Sequence, residues 1–130
     1  MIDFDINLKD ASAANIDVRK HKADEQGRLL GTTKGYTRLG SGGEAYQFKP
    51  NTTYTGTMSV EKLAEGVMIT GTLSQDGSLL SEFSFTDEGS KVNNFGMLAF
   101  HVNSKTFGSS KKKDTPDNGL DFTNIRLEVE

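Results

Sequence analysis

Ligand binding or catalysis by this chain would fall to its carboxylates, its three tyrosines, two histidines and one Asp/Asn-rich stretch. There is no cysteine, which removes thiol nucleophiles, disulfide scaffolds and zinc ribbons. A zinc site would have to add carboxylates to the two histidines, and the spacing shows none of the usual zinc motifs. Glycoside hydrolysis needs two carboxylates about 5–10 Å apart across the scissile bond. Residues i and i+2 of a strand, on one face and about 6–7 Å apart, could supply them. Glu82, however, shares its face with Ser84 and Thr86 and not with a second acid. His101 falls on a face with Met97, Ala99 and Asn103. His101 and Asn103 are candidate ligand contacts, weighed against a part-buried histidine with an internal partner.

Asp114, Asp117, Asn118 and Asp121 place four oxygen-bearing side chains within eight residues. Hard cations want several oxygens from one loop, so calcium is the cation this stretch would hold. The spacing is not that of an EF-hand, and Asp117-Asn118-Gly119 is also an ordinary turn. No other cofactor is expected. Lys111-Lys112-Lys113 reads as a solvated loop tip. Sugar sites favour aromatic platforms. Tryptophan is absent, which leaves Tyr36, Tyr46 and Tyr54. Alternation puts Tyr36 with Arg38 and Glu44 with Tyr46, so two short strands meeting at a Ser41–Gly43 turn would gather a Tyr/Arg/Glu cluster. Its plainer reading is two amphipathic strands with tyrosine at the sheet margin.

The elements that must position these residues are strands. Thr53–Val60 sets Tyr54, Met58 and Val60 against Thr53, Thr55, Thr57 and Ser59. Val67–Ser74 sets Val67, Ile69 and Leu73 against Thr70, Thr72 and Ser74. Such period-two alternation of β-branched and aromatic residues marks half-buried strands. Asp76-Gly77 marks a tight hairpin, because both residues tolerate positive φ. Leu79–Thr86 and Phe95–Asn103 continue the series. Before this centre, Ile2–Lys9, Ile16–Lys20, Arg28–Thr32, Tyr36–Leu39 and Glu44–Phe48 read as strands, with Asp10–Asn15 and Lys22–Gly27 as connections. Asp87–Asn94 and the long Lys105–Gly119 read as loops. Leu120–Glu130 reads as a last strand with Thr123, Ile125, Leu127 and Val129 on one face. Nine or ten strands with frequent turns predict an all-β chain, a two-sheet antiparallel β-sandwich.

At 130 residues one domain is expected. A net charge of −3 gives no electrostatic footprint for nucleic acid. No apolar run approaches membrane-spanning length, so membrane insertion is not expected. Ile2–Leu8 alternates like a strand and not like a signal peptide. The compartment is left open, with a secreted or periplasmic parent protein compatible.

The order NTTYTGTMSVEKLAEGVMITGTLSQDG, SEFSFTDEG, NNFGMLAFHVNS and LDFTNIRLEVE resembles the later strands of concanavalin-A-like jelly rolls. That superfamily holds lectins, glucanases and laminin-G-like domains, and the resemblance spans about residues 36–130. It implies a jelly roll of two antiparallel sheets and carbohydrate as the ligand class. The Glu-x-Asp-x-x-Glu string of the glucanases is missing, and so is the Gln-x-His of the alginate-lyase-like members. The expected function is therefore a non-catalytic carbohydrate-binding domain of a bacterial glycan-processing or surface protein. A glycoside hydrolase or polysaccharide lyase of the same fold stays open, as does a structural or protein-interaction sandwich.

Overall fold

A computed structural model describes residues 2–4, 15–22, 35–90 and 121–129. The chain divides into two compact units, residues 1–99 and 100–130. In the first unit, β1 (Ile2–Phe4), β2 (Ile16–His21) and β3 (Tyr36–Gly42) form one antiparallel sheet in that order. β4 (Thr55–Lys62), β5 (Val67–Gln75) and β6 (Ser78–Asp87) form a second. The described residues are thus all-β, and the two sheets pack face to face as a small β-sandwich.

The pleat decides what meets between the sheets. Opposed residues of antiparallel neighbours share a face, so the register puts Ile2, Phe4, Ile16, Val18, Gly40 and Gly42 on the inner face of the first sheet. Val60, Val67, Ile69, Leu73, Phe83 and Phe85 line the inner face of the second. Ile16, Val18, Val67 and Leu73 are buried. Gly40 and Gly42 supply the room: the Phe83 and Phe85 rings lie where their Cβ atoms would be. Reciprocally, Gly71 receives Ile2 and Ile16, and Gly56 receives Phe4. Each sheet therefore offers glycine where the other offers bulk.

The central hairpins agree closely with the sequence expectation. Asp76 (φ 49°) and Gly77 (φ 78°) both adopt positive φ between the paired residues Gln75 and Ser78, the conformation of a primed two-residue turn. Gly66 (φ 98°) closes the β4–β5 loop, where Leu63 N donates to Gly66 O at 3.2 Å.

Three expectations are corrected. Ser41 and Gly42 do not turn; they continue β3, paired with Asp17 and Ile16, and the strand ends at Gly43 (φ 98°). Gly42 reads as a turn residue but serves as the floor beneath Phe83. Glu44–Phe48 is not a ladder strand. Only Tyr46 makes an isolated bridge, and the segment is organised by its rings. Asp121–Val129 forms no strand: Asn124 has φ 52°, and Ile125, Leu127 and Val129 are 59%, 71% and 90% exposed. The expected strands Arg28–Thr32 and Phe95–Asn103, most of Ile2–Lys9, and the segments Asp10–Asn15, Lys22–Gly27 and Lys105–Gly119 lie wholly or largely outside the described residues.

Candidate functional site

A β-bulge sorts the first group of candidates. Val18 pairs with Gly40 and Arg19 with Arg38, so Leu39 is the extra residue of β3. Tyr36 and Arg38 thereby share the outer face of their sheet with His21, Arg19 and Asp17. Tyr36 and His21 meet edge to face, ring centroids 5.3 Å apart. Asp17, largely buried, is held by two guanidinium groups: Arg19 donates to its Oδ2 at 2.8 Å, and Arg38 Nε to its Oδ1 at 2.8 Å. On the inner side, Lys20 reaches across to Asp87 of β6 at 2.6 Å. Tyr36 and Arg38 do come together, as alternation requires.

Tyr46 belongs to a second group. Its ring packs edge to face on Phe48 and Tyr54, at 5.6 and 5.7 Å, and Phe48 lies 4.9 Å from Tyr54. Its hydroxyl lies 3.2 Å from the Tyr54 hydroxyl and donates to Gln75 Oε1 at 3.3 Å. The Lys49 amide donates to Tyr54 Oη at 2.9 Å. The hydrogen bond with Tyr54 raises the Tyr46 pKa above its ordinary value. Burial and the charge Tyr54 would carry push the same way. Glu44 is exposed between the two groups. With no turn at Ser41–Gly43, the four-residue cluster expected there is replaced by these two. Asp121 is exposed. His101, Asn103, Asp114, Asp117 and Asn118 lie outside the described residues.

A third arrangement was not singled out from the sequence as a site. The outer face of β4–β5–β6 is a grid of hydroxyls. The register puts Thr57, Thr72 and Glu82 in one row across the strands and Ser59, Thr70 and Ser84 in the next, flanked by Thr55 with Ser74 and by Glu61 with Met68 and Thr86. Within rows the hydroxyls bond one another: Thr57 with Thr72, and Thr70 with Ser84 at 2.7 Å. Thr55, Thr57, Ser59, Ser84 and Thr86 are exposed, and the central strand's Thr70, Thr72 and Ser74 are half-buried. The charged side chains that the described strands turn to this face are the carboxylates of Glu61 and Glu82. The signal for it was the Thr-x-Thr-x-Ser alternation at 55–59 and again at 70–74, which also marked the strands.

Comparison with protein-family models, with curated proteins and with solved structures found no match.

Proposed function

We propose that this chain is a non-catalytic carbohydrate-binding β-sandwich of jelly-roll type, part of a bacterial glycan-processing or surface protein, with its ligand lying on the outer face of β4–β5–β6. The observation that carries the proposal is the hydroxyl grid. Neighbouring strands lie about 4.8 Å apart, and same-face residues along a strand about 6.7 Å apart, so the grid offers polar contacts at regular steps in two directions. Each Ser or Thr hydroxyl has one donor and two acceptor lone pairs. The bonds within rows use part of that capacity and leave the rest facing outward, already oriented. A sugar chain presents the same mixed donor–acceptor groups. Glu61 and Glu82 add charged acceptors, which form the stronger hydrogen bonds to sugar hydroxyls.

The charge of the face selects among glycans. Carboxylates at Glu61 and Glu82 repel uronate and sulfate groups, so neutral polysaccharides are the expected ligands. Recognition by hydrogen bonds without an aromatic platform on these strands favours low affinity per sugar and a long chain. Calcium, for which Asp114, Asp117, Asn118 and Asp121 supply oxygen ligands within eight residues, is a separate part of the proposal.

A glycan array with and without calcium, backed by thermal shift, tests this reading. A ligand that binds only the native state raises the melting temperature by mass action. Thr72→Val keeps the shape and β-propensity of the central row and removes its hydroxyl. It is expected to weaken binding of a neutral glycan by about five- to tenfold, as one net hydrogen bond of about 1 kcal/mol implies. Saturable binding that survives Thr72→Val unchanged would move the ligand elsewhere. Silence across neutral and acidic glycans would remove the carbohydrate reading.

A further inference from the structure

We propose that two copies of this chain pair through the outer edges of their β4 strands, joining the second sheets into one continuous antiparallel sheet about a two-fold axis. Among the described residues β5 is the one strand neighbour of β4. All eight residues of β4 pair with β5 without a register shift, so the opposite edge is regular and unbulged. Protein edges are usually blunted by proline, bulges or central charges. Thr55–Lys62 has no proline, and its two charges sit together at its C-terminal end. Met58 points to the inner face yet is 48% exposed, so the sandwich interior is open along this strand and a further strand would cover it.

The sequence of β4 is complementary to itself, which commits the edge to a second copy. Antiparallel pairing centred on Ser59 sets Ser59 against its counterpart. Met58 then faces Val60 on the inner side, twice by symmetry. Thr57 faces Glu61 on the outer side, also twice, so a hydroxyl donates to a carboxylate. Gly56 faces Lys62. Apolar meets apolar, hydroxyl meets acceptor, and no like charges are opposed. This is the isologous contact that two-fold symmetry requires. It carries the Ser59–Thr70–Ser84 hydroxyl row across six strands in place of three and does not depend on what that row binds.

The experiment starts from a chain without cysteine. Ser59→Cys would place the only thiols opposite one another on the axis, where opposed Cα atoms lie about 4.5–5.5 Å apart, within disulfide range. Ser84→Cys, on the same face of β6, is the control. Sedimentation velocity from micromolar to near-millimolar concentration should show a concentration-dependent dimer, with Ser59→Cys cross-linking and Ser84→Cys not. Ser59→Lys and Ser59→Glu replace an exposed hydroxyl, and each should weaken self-association by about tenfold or more; mixing the two should restore it as a heterodimer. Three results would overturn the proposal: a monomer at every concentration, a dimer indifferent to both charged variants, or hydrogen-exchange protection of the β4 edge in the monomer, which would mean that the chain covers its own edge.

Discussion

Replacing Gly40 with alanine tests whether ring-into-glycine packing holds the two sheets together. The added Cβ would stand 2.7 Å from Phe85 Cδ2, 3.1 Å from Phe83 Cζ and 3.2 Å from Phe85 Cε2. Carbon atoms at rest lie about 3.5–4.0 Å apart, so both rings must retreat. Their freedom is limited, because Phe85 stands opposite Ile69 of the central strand and the Phe83 ring already lies against Gly42. Overpacking of this kind costs about 1–3 kcal/mol. Alanine in a strand interior otherwise gains about 0.5–1 kcal/mol over glycine. The expected net loss is about 1 kcal/mol, within a range of about 0–2.5 kcal/mol, or a fall in Tm of up to roughly 10 °C for a chain of this size. Urea unfolding followed by far-UV circular dichroism measures it without relying on tryptophan. Shrinking the ring decides the cause: Gly40→Ala with Phe85→Leu should lose less than the sum of the single changes, with a coupling of about 0.5–2 kcal/mol. If the two changes simply add, with no coupling, the packing account is wrong.

Ser81→Ala removes the hydroxyl that donates to Asn15 Oδ1 at 2.9 Å inside the core, where Asn15 Nδ2 already has no partner among the described residues. Leaving the carbonyl oxygen unpaired as well should cost about 1–3 kcal/mol, read as a lower urea midpoint at unchanged slope. The raised Tyr46 pKa makes stability fall in alkali: the folded state holds the phenolic proton more tightly, so this contribution is complete below the ordinary value of 10.0 and is lost as the pH climbs from there through the folded value. Ultraviolet titration of the phenols should show one late tyrosine, and Tyr54→Phe should bring it back toward the ordinary range; a Tyr46 that titrates normally in the parent would remove the hydrogen bond from the account.

The parts of the fold legible in the sequence are those where local pattern and tertiary role agree. Val67–Gln75 alternates cleanly, is buried on one side and hydroxylated on the other, and its hairpin partner begins after an Asp-Gly turn that local chemistry dictates. One failure has its origin in glycine. Gly40 and Gly42 look like punctuation, yet they lie within a strand and make room for Phe83 and Phe85, residues some forty positions away. No local window contains that information. Tyr46 and Phe48 alternate like strand residues, but their rings find Tyr54 before their backbone finds a ladder. Asp121–Val129 alternates as well, yet it forms no ladder and its backbone turns to positive φ at Asn124.

The candidate site shows the same division. Tyr36 and Arg38 were expected on one face and lie there, because the bulge at Leu39 comes after both and alters the facing only of Gly40 and the residues beyond it. Their separation from Tyr46 arises because the same strand runs on through Gly42. The hydroxyl grid is written openly in the Thr-x-Thr-x-Ser repeats, but any half-buried strand shows such a polar face. Only register distinguishes the two, since rows form when Thr57 stands opposite Thr72 and Ser59 opposite Thr70. A slip of one residue would turn these hydroxyls inward and bring Met58 and Val60 to the surface. The packing that fixes the register, glycine beneath aromatic ring on one side of the sheet, is therefore what aligns the hydroxyls on the other. A change such as Gly40→Ala reaches any ligand on the outer face through the strand order and not through contact.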